Sequence, residues 1–221
     1  MSLFRLLADN RDPRSLAARL RRRRSKLLRA LLASVPRPAR MLDVGGTEAY
    51  WATVAPEGLE GWTIVLLNQR AAAVTRPGFE SISGDARTLP FGDRSFDLVF
   101  SNSVIEHVGE RADQQRMADE VRRVGARYYV QTPNWWFPIE PHFVFPGFQF
   151  LPLEVRTQLV MRFKLGWYPR VRDRDEARTI ADSIRLLTEA QLRTLFPGGE
   201  IHRESFAGMT KSLIVTGGFS A

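Results

Sequence analysis

The sequence predicts an α/β fold in which a mostly parallel, seven-stranded sheet is covered by helices on both faces and ends in an antiparallel hairpin. Three observations carry this reading. Between residues 40 and 132, short runs rich in Val, Ile, Leu, Phe and Tyr alternate with helical stretches, the pattern of a parallel sheet with covered faces. The apolar run Met41-Leu-Asp-Val ends in Gly45-Gly46, which reads as a buried strand stopped by a tight turn. After residue 199 two strand-like runs follow each other directly, 200–206 and 212–216, joined by Ala207-Gly-Met-Thr210.

The chain opens on a basic segment, residues 1–38. Leu16, Leu20, Leu27, Leu28, Leu31 and Leu32 fall mostly three or four apart, so 14–34 is expected as an amphipathic helix, stopped by Pro36-Arg-Pro38. It contains Arg21-Arg-Arg-Arg-Ser-Lys26. Either the helix packs on the domain by its leucines with the arginines solvated, or it lies on anionic lipid, where each basic residue adds ~1 kcal/mol. Nucleic acid fits less well, because no aromatic residues are interleaved to stack on bases.

A domain over 39–221 follows. Strands are expected at 40–44, 62–68, 79–83, 96–101 and 126–132, with helices near 47–55 and 110–124. Residues 69–78 are too rich in Arg, Pro and Gly for a helix. An insertion spans about 133–176. Residues 135–150 hold seven of the chain's 23 aromatics, and five of its 13 prolines lie between Pro133 and Pro152. Proline fixes φ, so this is expected as a stiff apolar loop, continued by a short helix at 155–164 and a charged turn at Arg170–Glu176. Thr188-Glu-Ala-Gln191 is a capping box opening a helix that stops at Pro197-Gly-Gly199.

With 221 residues the chain can bury one sizeable core. It has no cysteine, which excludes a disulfide framework and thiolate chemistry. Residues 1–40 hold 12 Lys/Arg against 2 Asp/Glu and the remainder 20 against 22, so the net charge of +8 belongs to the amino terminus. It does not mark a nucleic-acid groove on the body. The first residues acquire charge too soon for a secretory signal, and no run approaches the ~18 apolar residues of a membrane span. A cytoplasmic protein is expected, with the basic helix as its route to peripheral contact at the inner face of the membrane.

Three segments matter together: Met41-Leu-Asp-Val-Gly-Gly-Thr47, Ser83-Gly-Asp-Ala-Arg-Thr-Leu-Pro-Phe91 and Ser95-Phe-Asp-Leu-Val-Phe-Ser-Asn-Ser-Val-Ile-Glu-His-Val108. In this order and spacing, over about residues 40–132, the chain resembles the class I S-adenosylmethionine-dependent methyltransferases with a type 11-like domain. A dinucleotide-binding dehydrogenase also begins with a glycine turn, but it explains neither Gly84-Asp85 nor Ile105-Glu-His107. The resemblance implies a three-layer Rossmann-like fold, with S-adenosylmethionine as methyl donor and S-adenosylhomocysteine as product.

The resemblance also assigns roles. Backbone at Gly45 and Gly46 would face the methionine part of the cofactor, in a turn that includes Thr47 and is anchored by Asp43. Thr47 and Ala49 stand where the family has later glycines, a form similar to bacterial methyltransferases from glycan and lipid gene neighbourhoods. Asn68 replaces the acidic residue that binds the ribose; it keeps one carbonyl acceptor and loses the charge, and Gln69 can share the task. Asp85 would accept from the adenine amino group, Ala86 would offer its amide, and Ser101 and Asn102 would line the amino-acid end. Structural alternatives stand beside these roles: a turn-capping carboxylate for Asp43, a strand-ending turn residue for Asn68, and an N-cap of the turn at 86–89 for Asp85.

Methyl transfer from a sulfonium is an in-line displacement with a neutral leaving group, so a hydroxyl acceptor needs alignment and a base. His107, beyond the fourth strand, and His142, on the loop leaving the fifth, are the candidate bases, with Glu140 placed to orient His142. A histidine bonded within its own loop is the alternative for His107, and His202 is expected to be structural. Glu106, His107, Glu140 and His142 are adjacent or two apart rather than three or four apart on one helix, so no metal is expected. Trp135 and Trp136 are expected as walls of the acceptor pocket under a lid; bilayer contact or a self-packed loop are the alternatives. The expected function is methyl transfer to a small-molecule, glycan or lipid-linked hydroxyl. The alternatives are a noncatalytic methyltransferase-like binding module and a membrane-surface adaptor.

Overall fold

The computed structural model describes residues 26–55 and 58–219. Of the helix expected at 14–34, residues 26–33 are among these and are helical (α1); Leu16, Leu20 and Arg21 to Arg24 lie outside the described residues. Leu28 and Leu32 are buried, with Leu27 and Leu31 packed beside them. This part of the segment is held to the domain by its leucines.

The seven-stranded sheet has the order β3-β2-β1-β4-β5-β9-β8. Its strands are β1 (Ala39–Val44), β2 (Trp62–Asn68), β3 (Phe79–Ser83), β4 (Leu98–Asn102), β5 (Tyr128–Pro133), β8 (Glu200–Phe206) and β9 (Met209–Gly217). β1 to β5 are parallel, and β9 lies antiparallel to both β5 and β8. The chain runs outward through β1, β2 and β3, then returns to place β4 on the other side of β1. Ligands of open α/β sheets bind at that reversal, outside the carboxyl ends of the strands.

Side chains of period two send alternate residues to opposite faces. In β2, Val65 and Leu67 join a cluster with Met117 and Val121 of α3 (Arg111–Val124) and Leu192 of α6 (Glu189–Leu195). Ile64 and Leu66 face Leu28, Leu32 and Trp51, the last from α2 (Glu48–Val54). Strands buried on both faces explain why the motifs sit in continuous apolar runs.

Three expectations need revision. The closing hairpin turns on Ala207 and Gly208 alone, both at positive φ (48° and 79°), so β9 begins at Met209. The charged stretch at 170–176 is not a turn throughout. Asp173 accepts from the Glu176 amide at 2.8 Å and caps α5 (Arg174–Asp182), a cap signature the sequence carried. The stiff segment is not loop alone: it holds a small hairpin, β6 (Ile139–Glu140) with β7 (Phe145–Pro146), ahead of α4 (Leu153–Arg162), the short helix expected at 155–164. The insertion's own apolar cluster joins Phe143, Phe148 and Val160 to Ala181, Ile184 and Leu186, beyond residue 176.

Candidate active site

The turn after β1 is built by backbone. Gly45 has φ +77°, and a Cβ there would come within 2.4 Å of Val104 Cγ2; its amide donates to Leu67 O at 2.8 Å. A Cβ on Gly46 would lie 1.7 Å from Asp43 Oδ2, because the Asp43 carboxylate is folded under the turn. Asp43 is 1% exposed and accepts from Trp51 Nε1 at 2.6 Å. Burial pushes its carboxyl up to about 7, against the pull of the Trp51 bond. Asp43 therefore anchors the turn from beneath, with Trp51 as a partner that the motif does not announce. Thr47 caps α2, its side chain accepting from the Tyr50 amide at 3.2 Å.

Gly45, Asn68, Gln69, Asp85 and Ala86 line one cavity of about 700 Å³ at the switch point. Asn68 Nδ2 donates to Gly46 O at 2.9 Å, tying the ends of β1 and β2 together. Asp85 is held by Arg87, whose Nε and Nη2 donate to it at 2.9 and 2.6 Å, and it also accepts from the Arg87 amide. These bonds hold its carboxyl below the usual carboxylate range. Ser101 is buried in β4 and Asn102 ends it; neither is among the residues lining this cavity. The next residue, Ser103, is at the edge instead, at φ 57° with its hydroxyl donating to Gln131 Oε1 at 2.8 Å. A non-glycine residue in the left-handed region is a signal the sequence does not print.

A second cavity, of about 410 Å³, is lined by Ser103, His107, Gln131, Phe137, His142, Trp167 and Lys211 among others. His107 lines both cavities. Its Nε2 lies 3.1 Å from His142 Nε2, and His142 Nδ1 lies 2.6 Å from Glu140 Oε1. Glu140 also accepts from the amides of His142 and Phe143 at 2.8 and 2.7 Å, which fixes the loop. Glu106, fully buried, accepts from Thr132 Oγ1 at 2.9 Å, and its other oxygen is 3.8 Å from His142 Nε2.

The charges in this group are coupled. Burial raises the Glu106 carboxyl to about 7. Burial and the neighbouring His142 lower His107 to about 4, against a pull from Glu140. Burial also works to lower His142, but its bond to Glu140 and the Glu140 and Glu106 charges outweigh that and raise it. A neutral His107 beside a His142 able to carry a proton follows. Trp135 and Trp136 do not line this cavity. The Trp135 amide donates to Leu187 O at 3.0 Å, and both indoles pack on Phe150. Phe137 and Trp167 take the wall positions instead.

Residues 42–127 match the family model of a methyltransferase domain. That span runs from the last three residues of β1 through α3 and contains the lining residues of the larger, switch-point cavity. Over these residues the chain is similar to methyltransferase domains. An uncharacterised protein of Mycobacterium tuberculosis is 38% identical over 73 residues, 33% of this chain and 24% of its own. A proposed methyltransferase of Encephalitozoon cuniculi is 46% identical over 59 residues, 27% of each chain. The chain spans about a quarter of the length of these curated relatives.

Solved structures share the fold of the methyltransferase domain. A proposed sarcosine dimethylglycine methyltransferase of Galdieria sulphuraria aligns with TM-score 0.51 at 16% identity, over 89% of this chain and 67% of that one. A Burkholderia thailandensis 1,6-didemethyltoxoflavin N1-methyltransferase, solved with that acceptor and S-adenosylhomocysteine, aligns with TM-score 0.50 at 17% identity, over 94% and 81%.

Proposed function

We propose that the protein is an S-adenosylmethionine-dependent methyltransferase acting on the hydroxyl of a small-molecule, glycan or lipid-linked acceptor. The observation that carries the reading is His107, which lines both the cavity at the switch point and the smaller one under the cap. A donor in the first and an acceptor in the second would meet at this side chain. The first cavity has the size of a cofactor site; Asn68, Gln69, Asp85 and Ala86 line it and would serve ribose and adenine, and Gly45, also in its lining, would serve the amino-acid end.

In this reading the acceptor oxygen attacks the methyl carbon in line as the carbon–sulfur bond breaks, leaving neutral S-adenosylhomocysteine. The hydroxyl proton passes to neutral His107 and on to His142, which Glu140 orients through Nδ1. A lipid-linked acceptor is favoured by Trp136 and Phe150, which pack together on the cap with 67% and 48% of their surface exposed. Among the described residues no helix is long and apolar enough to cross a membrane, so such contact would be peripheral.

Calorimetric titration with S-adenosylmethionine and S-adenosylhomocysteine tests the cofactor assignment. Micromolar binding of both, lost in Asp85→Ala, is expected. No heat with either ligand at millimolar concentration would sink it and return the protein to a noncatalytic role.

A further inference from the structure

We propose that Glu106, His107 and His142 hold a divalent metal ion of borderline softness, zinc-like rather than magnesium-like, at the junction of the two cavities. One donor atom from each lies within 4.8 Å of the others. The facing ring nitrogens are both Nε2, 3.1 Å apart, a separation that two imidazoles on one ion adopt. Glu106 Oε1 has no hydrogen-bond partner although its residue is wholly buried, and it is aimed at the same space, 3.8 Å from His142 Nε2. A wholly buried carboxylate oxygen without a donor either takes up a proton or sits beside a cation, and the approach of this one to two converging ring nitrogens favours the cation.

The surroundings are those of ligands held for a metal. Glu140 takes the far nitrogen of His142 at 2.6 Å, and Thr132 donates to the far oxygen of Glu106 at 2.9 Å. Such outer partners fix the tautomer and direction of a ligand. Two imidazoles and one carboxylate leave coordination positions open, as reactive metal sites do, and the imidazoles favour zinc, iron or cobalt over magnesium. A separation of three or four residues matters only for donors that share one helix. Here the donors come from a 3-10 turn after β4, Ile105–His107, and from the cap hairpin.

The role of the ion rests on the methyl-transfer reading. The acceptor hydroxyl would bind at an open position and lose its proton to solvent. The oxygen would then form its bond to the methyl carbon as the sulfur takes the electron pair of the broken bond. His107 and His142 are then ligands, and the imidazole proton route belongs to the metal-free protein.

The test is titration of the full, tag-free chain with Co²⁺ alone, followed by its visible absorption. One equivalent bound at micromolar affinity is expected, weakened at least tenfold in both Glu106→Gln and His107→Ala and unchanged in Asp85→Ala. Glu140→Gln keeps all three donors, and should weaken the site by about 10–100-fold. No saturable Co²⁺ signal at millimolar ion, in protein with native circular dichroism, overturns the proposal; so does a signal that Glu106→Gln and His107→Ala leave unmoved. S-adenosylhomocysteine calorimetry on the same samples separates the readings, since Co²⁺ binding kept without cofactor binding upholds the ion site alone.

Discussion

At the end of β1 the chain turns on Gly45 and Gly46 with the Asp43 carboxylate folded beneath, and the groups offered to a ligand are mostly backbone. At the end of β5 it runs through a proline-rich hairpin that brings Glu140 and His142 over Glu106 and His107, and there the site is made of ionisable side chains, with Glu106 and Glu140 buried, His142 half-buried and His107 exposed at the rim. The first kind of site depends on space that a Cβ would fill. The second depends on several elements arriving together, because each buried charge is tolerable only beside its partners.

Two glycines break the comparison apart. In Gly46→Ala the new methyl meets Asp43, and overpacking of this kind costs ~1–3 kcal/mol. We expect S-adenosylhomocysteine binding to fall below detection in calorimetry. Gly166 is the counterpart under the cap: its φ is +50°, and a Cβ would lie 2.2 Å from His142 O. Gly166→Ala should leave cofactor binding intact while turnover drops on the order of 100-fold, the penalty for a small misplacement of a reacting group. Equal losses of cofactor binding in both variants would mean that the two halves are one unit.

A smaller effect separates the halves by pH. Asp43 has its carboxyl raised to about 7 by burial, above the ordinary value of 3.8. Its contribution to stability is therefore fully present below about pH 4 and is lost as pH rises through 7. Asn at this position keeps an oxygen for Trp51 Nε1 and does not titrate. Asp43→Asn should gain on the wild type between pH 4 and 8, by at most about 1.4 kcal/mol for each step of one in pH. Chemical denaturation at the two pH values checks this; a gap that does not change with pH would mean that Asp43 stays ionised in the fold.

The same contrast decided what was legible. Strand runs at 62–68 and 79–83 coincide with β2 and β3; β2 is covered on both faces and so apolar along most of its length, whereas β3 is the edge strand and shows only Phe79 and Ile82 among polar residues. The glycine turn and Asp85 could be placed because they follow strand ends directly in the sequence. The ring of Trp51 under Asp43, Ser103 at the edge and the Glu106 carboxylate depend on where a side chain points once neighbouring strands are paired. Trp135 and Trp136 fail for the same reason. Composition marked the aromatic segment as important, but Phe150 and the Leu187 carbonyl turn those two rings away from the cavity.

The smallest expected effect concerns Arg87, which makes a side-chain charge contact on the cofactor side. Its pair with Asp85 is 2.6 Å long, but the two side chains are 38% and 49% exposed, and exposed pairs contribute within about 1 kcal/mol. Arg87→Ala should therefore barely change the melting temperature. It also frees the carboxylate that an adenine amino group would have to share with the guanidinium, so cofactor affinity should rise a few-fold, and more at low salt than at high. A fall in affinity would show that Arg87 holds Asp85 in its binding pose or meets the ligand itself, and the cofactor side would then depend on the Asp85–Arg87 pair rather than on Asp85 alone.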